Sequence, residues 1–132
     1  MSLYVTDVHS QEAHRRVAQL APRLWMTPLH RVEWAHAIAQ NVFRQRFSTQ
    51  DALQFHANFA ADRQTGLWLE TGMPEAAFET AIELARKHVP RLGCRTLDTL
   101  HVASALELGA DEFWSFDSRQ LKLARAAGLK AS

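Results

Sequence analysis

The stretch that decides the fold is Arg95-Thr96-Leu97-Asp98-Thr99-Leu100-His101-Val102-Ala103-Ser104-Ala105-Leu106, followed by Gly109-Ala110-Asp111-Glu112-Phe113-Trp114-Ser115-Phe116-Asp117-Ser118-Arg119-Gln120-Leu121. Thr96 is placed to cap a helix whose apolar residues, from Leu97 to Leu106, cover most of the circumference. Such a helix is expected to be largely buried, and Gly109 supplies its stop. Glu112 to Phe116 reads as a strand, and Asp117 caps a final helix that carries Leu121 and Ala124 and stops at Gly128. Leu129 to Ser132 offers the start of another strand.

Working back toward the N-terminus, the same alternation continues. Pro74 opens a helix with Phe78, Ala81, Ile82 and Ala85 on one side, ending near Val89-Pro90. Leu67-Trp68-Leu69 is a weak strand candidate. Ser48 with Asp51 three residues on is a capping-box signature, and together with Gly66 it brackets a further helix. Val32, Ala35, Ala39 and Val42 recur at helical spacing, which predicts a helix over about 29–46 beginning just after a short buried strand, Leu24-Trp25-Met26-Thr27. Ala13, Val17 and Leu20 mark an amphipathic surface helix from Ser10, closed by Pro22. Strands alternating with helices imply an α/β fold with a short parallel sheet covered by helices, and ligands collect beyond the carboxyl ends of such strands.

At 132 residues the chain is expected to form one domain over 1–132. An apolar fraction of 47% argues against disorder, and a net charge of +1 provides no overall field for a polyanion. Nucleic-acid contact must therefore be local or metal-mediated. One cysteine, Cys94, excludes an internal disulfide and fits a cytoplasmic setting. No run approaches the roughly 18 apolar residues that span a bilayer, so no membrane association is expected.

Three acids stand at comparable places: Glu33 near the start of the helix after the first strand, Asp98 in the first turn of the buried helix, and Asp117 directly after a strand. Hard divalent ions want oxygen ligands and keep several waters, which suits separated carboxylates converging from different elements. Each acid also has an ordinary reading. Asp117 with Gln120 resembles a plain helix cap, and Asp98 lies where the helix dipole favours negative charge. If the three acids crowd together without metal, raised pKa values are expected.

The run from Arg95 to Leu121 closely resembles the C-terminal half of PIN domains. Met26-Thr27-Pro28-Leu29 leading to Val32-Glu33 resembles that family's second acidic motif, in particular that of VapC-type toxins of bacterial toxin-antitoxin pairs. The resemblance implies a helix-rich, three-layer α/β/α fold. It further implies a magnesium- or manganese-dependent endoribonuclease with Glu33, Asp98 and Asp117 as catalytic metal ligands, RNA as substrate and a cognate antitoxin as inhibitor. Ser115 is expected to support the site by hydrogen bonding. The alternative is a catalytically weak module that binds a partner protein or RNA.

PIN domains open with an apolar strand and an Asp-containing motif that this sequence lacks. Leu3 to Ser10 instead resembles the end of the family's first helix and its following loop, so the first strand and first Asp are expected to be missing. On the other reading, Leu3 to Thr6 forms a shortened strand and Asp7 substitutes for the absent acid. Loss of a central strand would expose edges open to pairing, from which a homodimer is expected. His101, one turn after Asp98, fits a hydrogen-bonded core residue better than a ligand. Trp25, Trp34, Trp68 and Trp114 fit core packing better than base stacking, and Arg44, Arg46 and Arg119 fit solvated surface charge better than phosphate contacts.

Overall fold

The computed structural model describes residues 1–20 and 24–132. The element order is α1 (Ser10–Leu20), β1 (Leu24–Met26), α2 (Pro28–Phe43), α3 (Thr49–Gln64), β2 (Trp68–Glu70), α4 (Ala76–Leu92), α5 (Thr96–Glu107) and α6 (Ser118–Ala126). This is a helix-rich α/β arrangement with a short two-stranded parallel sheet. No helix among the described residues is long and apolar enough to cross a membrane. The chain divides into two compact units, Met1–Gly72 and Met73–Ser132.

In the first unit β1 pairs in parallel with β2 in the register Leu24↔Trp68, Trp25↔Leu69 and Met26↔Glu70, and the Thr71 N–H extends the ladder to the Met26 carbonyl at 3.0 Å. Parallel neighbours need a long crossover, which α2 and α3 supply. Pro28 sits at the start of α2, where its missing N–H costs nothing, after a buried Thr27 whose backbone N–H reaches His30 Nδ1 at 3.2 Å. Ser48 and Asp51 cap α3 reciprocally, with Asp51 N–H to Ser48 Oγ at 3.0 Å and Ser48 N–H to Asp51 Oδ2 at 2.9 Å. The proline stop assigned to Pro22 lies outside the described residues.

The core of this unit is Val5, Met26, Trp34, Ile38 and Phe59. The Tyr4 ring meets Trp34 edge-on at 5.1 Å and Phe59 at 5.5 Å, while its hydroxyl accepts from Trp68 Nε1 at 2.9 Å. Burial pushes the Tyr4 hydroxyl above its ordinary pKa. One reading changes here, and one alternative falls. The buried face of α2 is Trp34 and Ile38, whereas Val32, Ala35 and Ala39 are exposed. A helix rich in alanine shows apolar residues on more than one face, and burying an indole removes more area from water than burying alanines. Leu3 to Thr6 is not a strand: the N–H groups of Tyr4 and Val5 both return to the Met1 carbonyl, at 2.8 and 3.2 Å, and close a turn.

In the second unit, Ala77, Ala81, Leu84, Cys94, Val102, Ala103, Leu123 and Ala124 form a core between α4, α5 and α6. Phe78 and Ile82, expected on the buried side of α4, are 51% and 42% exposed. The helix also runs past Pro90 to Leu92, because a proline in the last turn forfeits one hydrogen bond only. Gly93 then ends it at φ +62°, its N–H bonded to the Val89 carbonyl at 2.8 Å. α5 buries Asp98, Thr99, His101, Val102, Ala103 and Ser104, and its cap position belongs to Arg95, with Thr96 the first helical residue. The strand read at 112–116 is reduced to one parallel bridge, Phe113↔Ala131, flanked by Phe113 N–H to the Lys130 carbonyl at 2.8 Å and Ser132 N–H to the Phe113 carbonyl at 3.1 Å.

Candidate functional site

Two of the three acids meet within the second unit. Asp98 occupies the third helical position of α5 and Asp117 caps α6, and the packing of Val102 and Ala103 against Leu123 and Ala124 brings the two helix starts together. One guanidinium joins them. Arg95 Nη2 donates to Asp98 Oδ1 and to Asp117 Oδ2, each at 3.2 Å, and Arg95 Nε donates to Asp98 Oδ2 at 3.2 Å. The Arg95 side chain is 62% exposed, that of Asp98 only 1% and that of Asp117 28%.

The carboxylates perform the capping roles that their positions offered. Asp98 Oδ2 accepts the Arg95 backbone N–H at 2.9 Å, and Asp117 Oδ1 accepts the Arg119 N–H at 2.8 Å. A side-chain relay also links them: the Asp117 N–H donates to Ser115 Oγ at 3.0 Å, Ser115 Oγ to Gln120 Oε1 at 2.8 Å, and Gln120 Nε2 to Asp98 Oδ1 at 3.1 Å. Ser115 therefore supports the pair through Gln120 and through the backbone at Asp117.

Crowding does not raise these two acids. Burial pushes the Asp98 carboxyl up, but the bonds from the Arg95 side chain, the Arg95 backbone and Gln120 together outweigh it and hold the group below its ordinary value. Asp117 behaves alike: burial raises it, the Arg119 backbone and side chain and the Gln120 backbone lower it, the Asp98 charge raises it, and the net shift is downward. The expectation of raised values overlooked the donors around them, the Arg95 guanidinium at Asp98 and the Arg119 backbone and side chain at Asp117.

Glu33 lies half-buried in the second turn of α2, beside the buried Trp34, in the first unit. Asp7, exposed, accepts from Ser2 Oγ and from the His9 N–H, each at 2.8 Å, and so closes the turn before α1. His101 is buried in α5. Burial, with the charge of Asp98 adding to it, pushes the Cys94 thiol up, and its Sγ points to the Arg119 carbonyl at 3.6 Å, so no thiolate nucleophile stands here.

The donor set fits a small hard divalent ion. Asp98 and Asp117 present ionised oxygens, and the place between them already attracts a positive group, the Arg95 guanidinium. Among the described residues of this unit no third His, Cys, Asp or Glu side chain joins the pair in a metal-holding group. Waters and phosphate oxygens would complete the coordination, as they commonly do for magnesium. Reading the sequence missed Arg95 and gave Gln120 only a capping role with Asp117, whereas its side chain bonds Ser115 and Asp98. Their signal was the three-residue spacing of each from an acid, Arg95 before Asp98 and Gln120 after Asp117.

Compared with known proteins, residues 2–126 match the model of the PIN domain family. No curated protein sequence matches the chain.

Proposed function

Because this chain belongs to the PIN domain family, whose fold is of nuclease type, we propose that it is a metal-dependent endoribonuclease of the VapC-type toxin kind, hydrolysing RNA phosphodiester bonds. The observation that carries this reading is the Asp98–Asp117 pair: two ionised carboxylates at adjoining helix starts that hold a positive group in common.

Asp98 and Asp117 would hold Mg²⁺ or Mn²⁺, with Glu33 as the further family ligand. When bound, the ion supplies an activated water and neutralises charge on the phosphate oxygens. The chain's own residues do the positioning. Gln120 fixes the carboxylate of Asp98, while Ser115 and the Arg119 N–H fix Asp117. Arg119, exposed beside Asp117, would offer its guanidinium to a phosphate of the RNA. A cognate antitoxin protein and a second copy of the chain are the proposed partners, and the cytoplasm the proposed location.

A second reading, a weak or inactive module that binds RNA or a partner protein, is favoured by one observation. Both oxygens of Asp98 are already engaged by Arg95 and Gln120, and Asp7 is committed to its turn. The test is cleavage of a structured RNA with Mg²⁺ or Mn²⁺ by the wild type and by Asp98→Asn, Asp117→Asn and Glu33→Gln. Metal-dependent cleavage reduced by at least about a hundredfold in each variant supports the enzyme with all three acids as ligands. Cleavage that survives Asp98→Asn or continues in excess chelator refutes it, and RNA binding without cleavage selects the second reading.

A further inference from the structure

We infer that Arg95 is an exchangeable counter-ion of the acidic pair: its guanidinium competes with the divalent ion for the space between Asp98 and Asp117, so that loading the site requires Arg95 to leave. This rests on Asp98 and Asp117 being metal ligands. Arg95 Nη2 lies 3.2 Å from one oxygen of each carboxylate, and Nε takes the remaining oxygen of Asp98 at 3.2 Å. A divalent ion held by these two carboxylates and the guanidinium could not share one position, because both are cations and the oxygens' lone pairs are finite.

The surroundings let Arg95 leave at small cost. Its side chain is 62% exposed, so the departing guanidinium regains water and rotamer freedom. Two anchors of Asp98 stay behind: the residue-95 backbone N–H on Oδ2 at 2.9 Å and Gln120 Nε2 on Oδ1 at 3.1 Å. The helix start and the carboxylate's orientation therefore survive the exchange. Arg119 cannot take over as a bridge, since its guanidinium reaches Asp117 alone, at 3.5 Å. With Arg95 in place, two carboxylates face two guanidiniums and the pair attracts a dication less than bare carboxylates would. Arg95 is thus a positioning residue that sets the metal concentration at which the site fills.

The experiment uses the full chain, with Arg95→Gln and Arg95→Lys, titrated with Mn²⁺ by calorimetry and melted with and without the ion. Arg95→Gln is expected to bind Mn²⁺ about tenfold more tightly than the wild type, within the range that neighbours of metal ligands command. It should also be less stable than the wild type in chelator and gain more melting temperature on adding Mn²⁺. Arg95→Lys, which keeps the charge but loses the fork, should fall between them. In the wild type, saturating Mg²⁺ should move the Arg95 Nε–H resonance toward that of a free side chain. Equal Mn²⁺ affinities in all three forms, with binding abolished by Asp98→Asn, overturn the competition and leave the metal site intact. Binding in none of them overturns the metal site and the competition together.

Discussion

Replacing Asp98 by alanine should destabilise the metal-free protein by about 2 kcal/mol, and the sign is the informative part. Loss of the acceptor for the Arg95 N–H removes an N-terminal cap, about 1 kcal/mol. Gln120 Nε2, half-buried, loses its acceptor at a cost of about 1 kcal/mol. The ion pair with Arg95 adds at most about 0.5 kcal/mol, because that guanidinium is 62% exposed. Relief of repulsion from Asp117 works in the opposite direction. For a chain of this length the sum corresponds to a fall in Tm of roughly 6–10 °C. Asp98→Asn keeps an acceptor for the Arg95 N–H and should lose about half as much. Urea unfolding followed by circular dichroism in excess chelator, with matching thermal melts, measures both. Metal sites often hold acids that weaken the metal-free fold. An Asp98→Ala protein as stable as the wild type, or more so, would show that these bonds do not offset the burial of the charge, and the reasoning would fail.

Two other expectations are simpler. Both Asp98 and Asp117 are held below their ordinary pKa, so the stability they contribute is fully present above the unfolded-state value of about 3.9 and is lost as pH falls through their lower folded values; melts between about pH 5 and pH 2 should show a smaller acid-dependent loss in Asp98→Asn than in the wild type. Gly93→Ala should cost about 1 kcal/mol in urea unfolding, all of it from the backbone at φ +62°, since a Cβ there meets nothing within 4 Å; a neutral result would mean that α4 ends differently.

What could be read from the sequence was what neighbouring residues settle among themselves. The Ser48–Asp51 box, the cap at Asp117 and the strand ahead of Pro28 each depend on groups within a few positions, and each stands where expected. The facing of α2 did not follow, because its alanines mark no single side until the aromatic contacts of Trp34 with Tyr4 and Phe59 fix one. At 112–116 the side chains suit a strand, but a ladder needs a partner, and Ala131 supplies a single bridge. At the site, Asp98 and Asp117 were visible as acids at element ends. The low pKa of each was not: at Asp98 it depends on the Arg95 side chain and backbone and on Gln120 reaching across from α6, and at Asp117 on the Arg119 backbone and side chain and the Gln120 backbone, donors whose orientation only the folded helix starts fix.

The relay through Ser115 and Gln120 makes the spacing of the two acids a built dimension of the molecule. Each link has a direction: the amide oxygen of Gln120 must face the serine hydroxyl and its nitrogen must face Asp98, so the side chain has one working orientation. A glutamate there would set an anion against Asp98, and an asparagine would be too short to reach both ends. The start of α6 therefore cannot slide along α5 without drawing on the Asp98 carboxylate, and the amide of Gln120 holds the gauge of the gap between the acids alongside the Arg95 guanidinium.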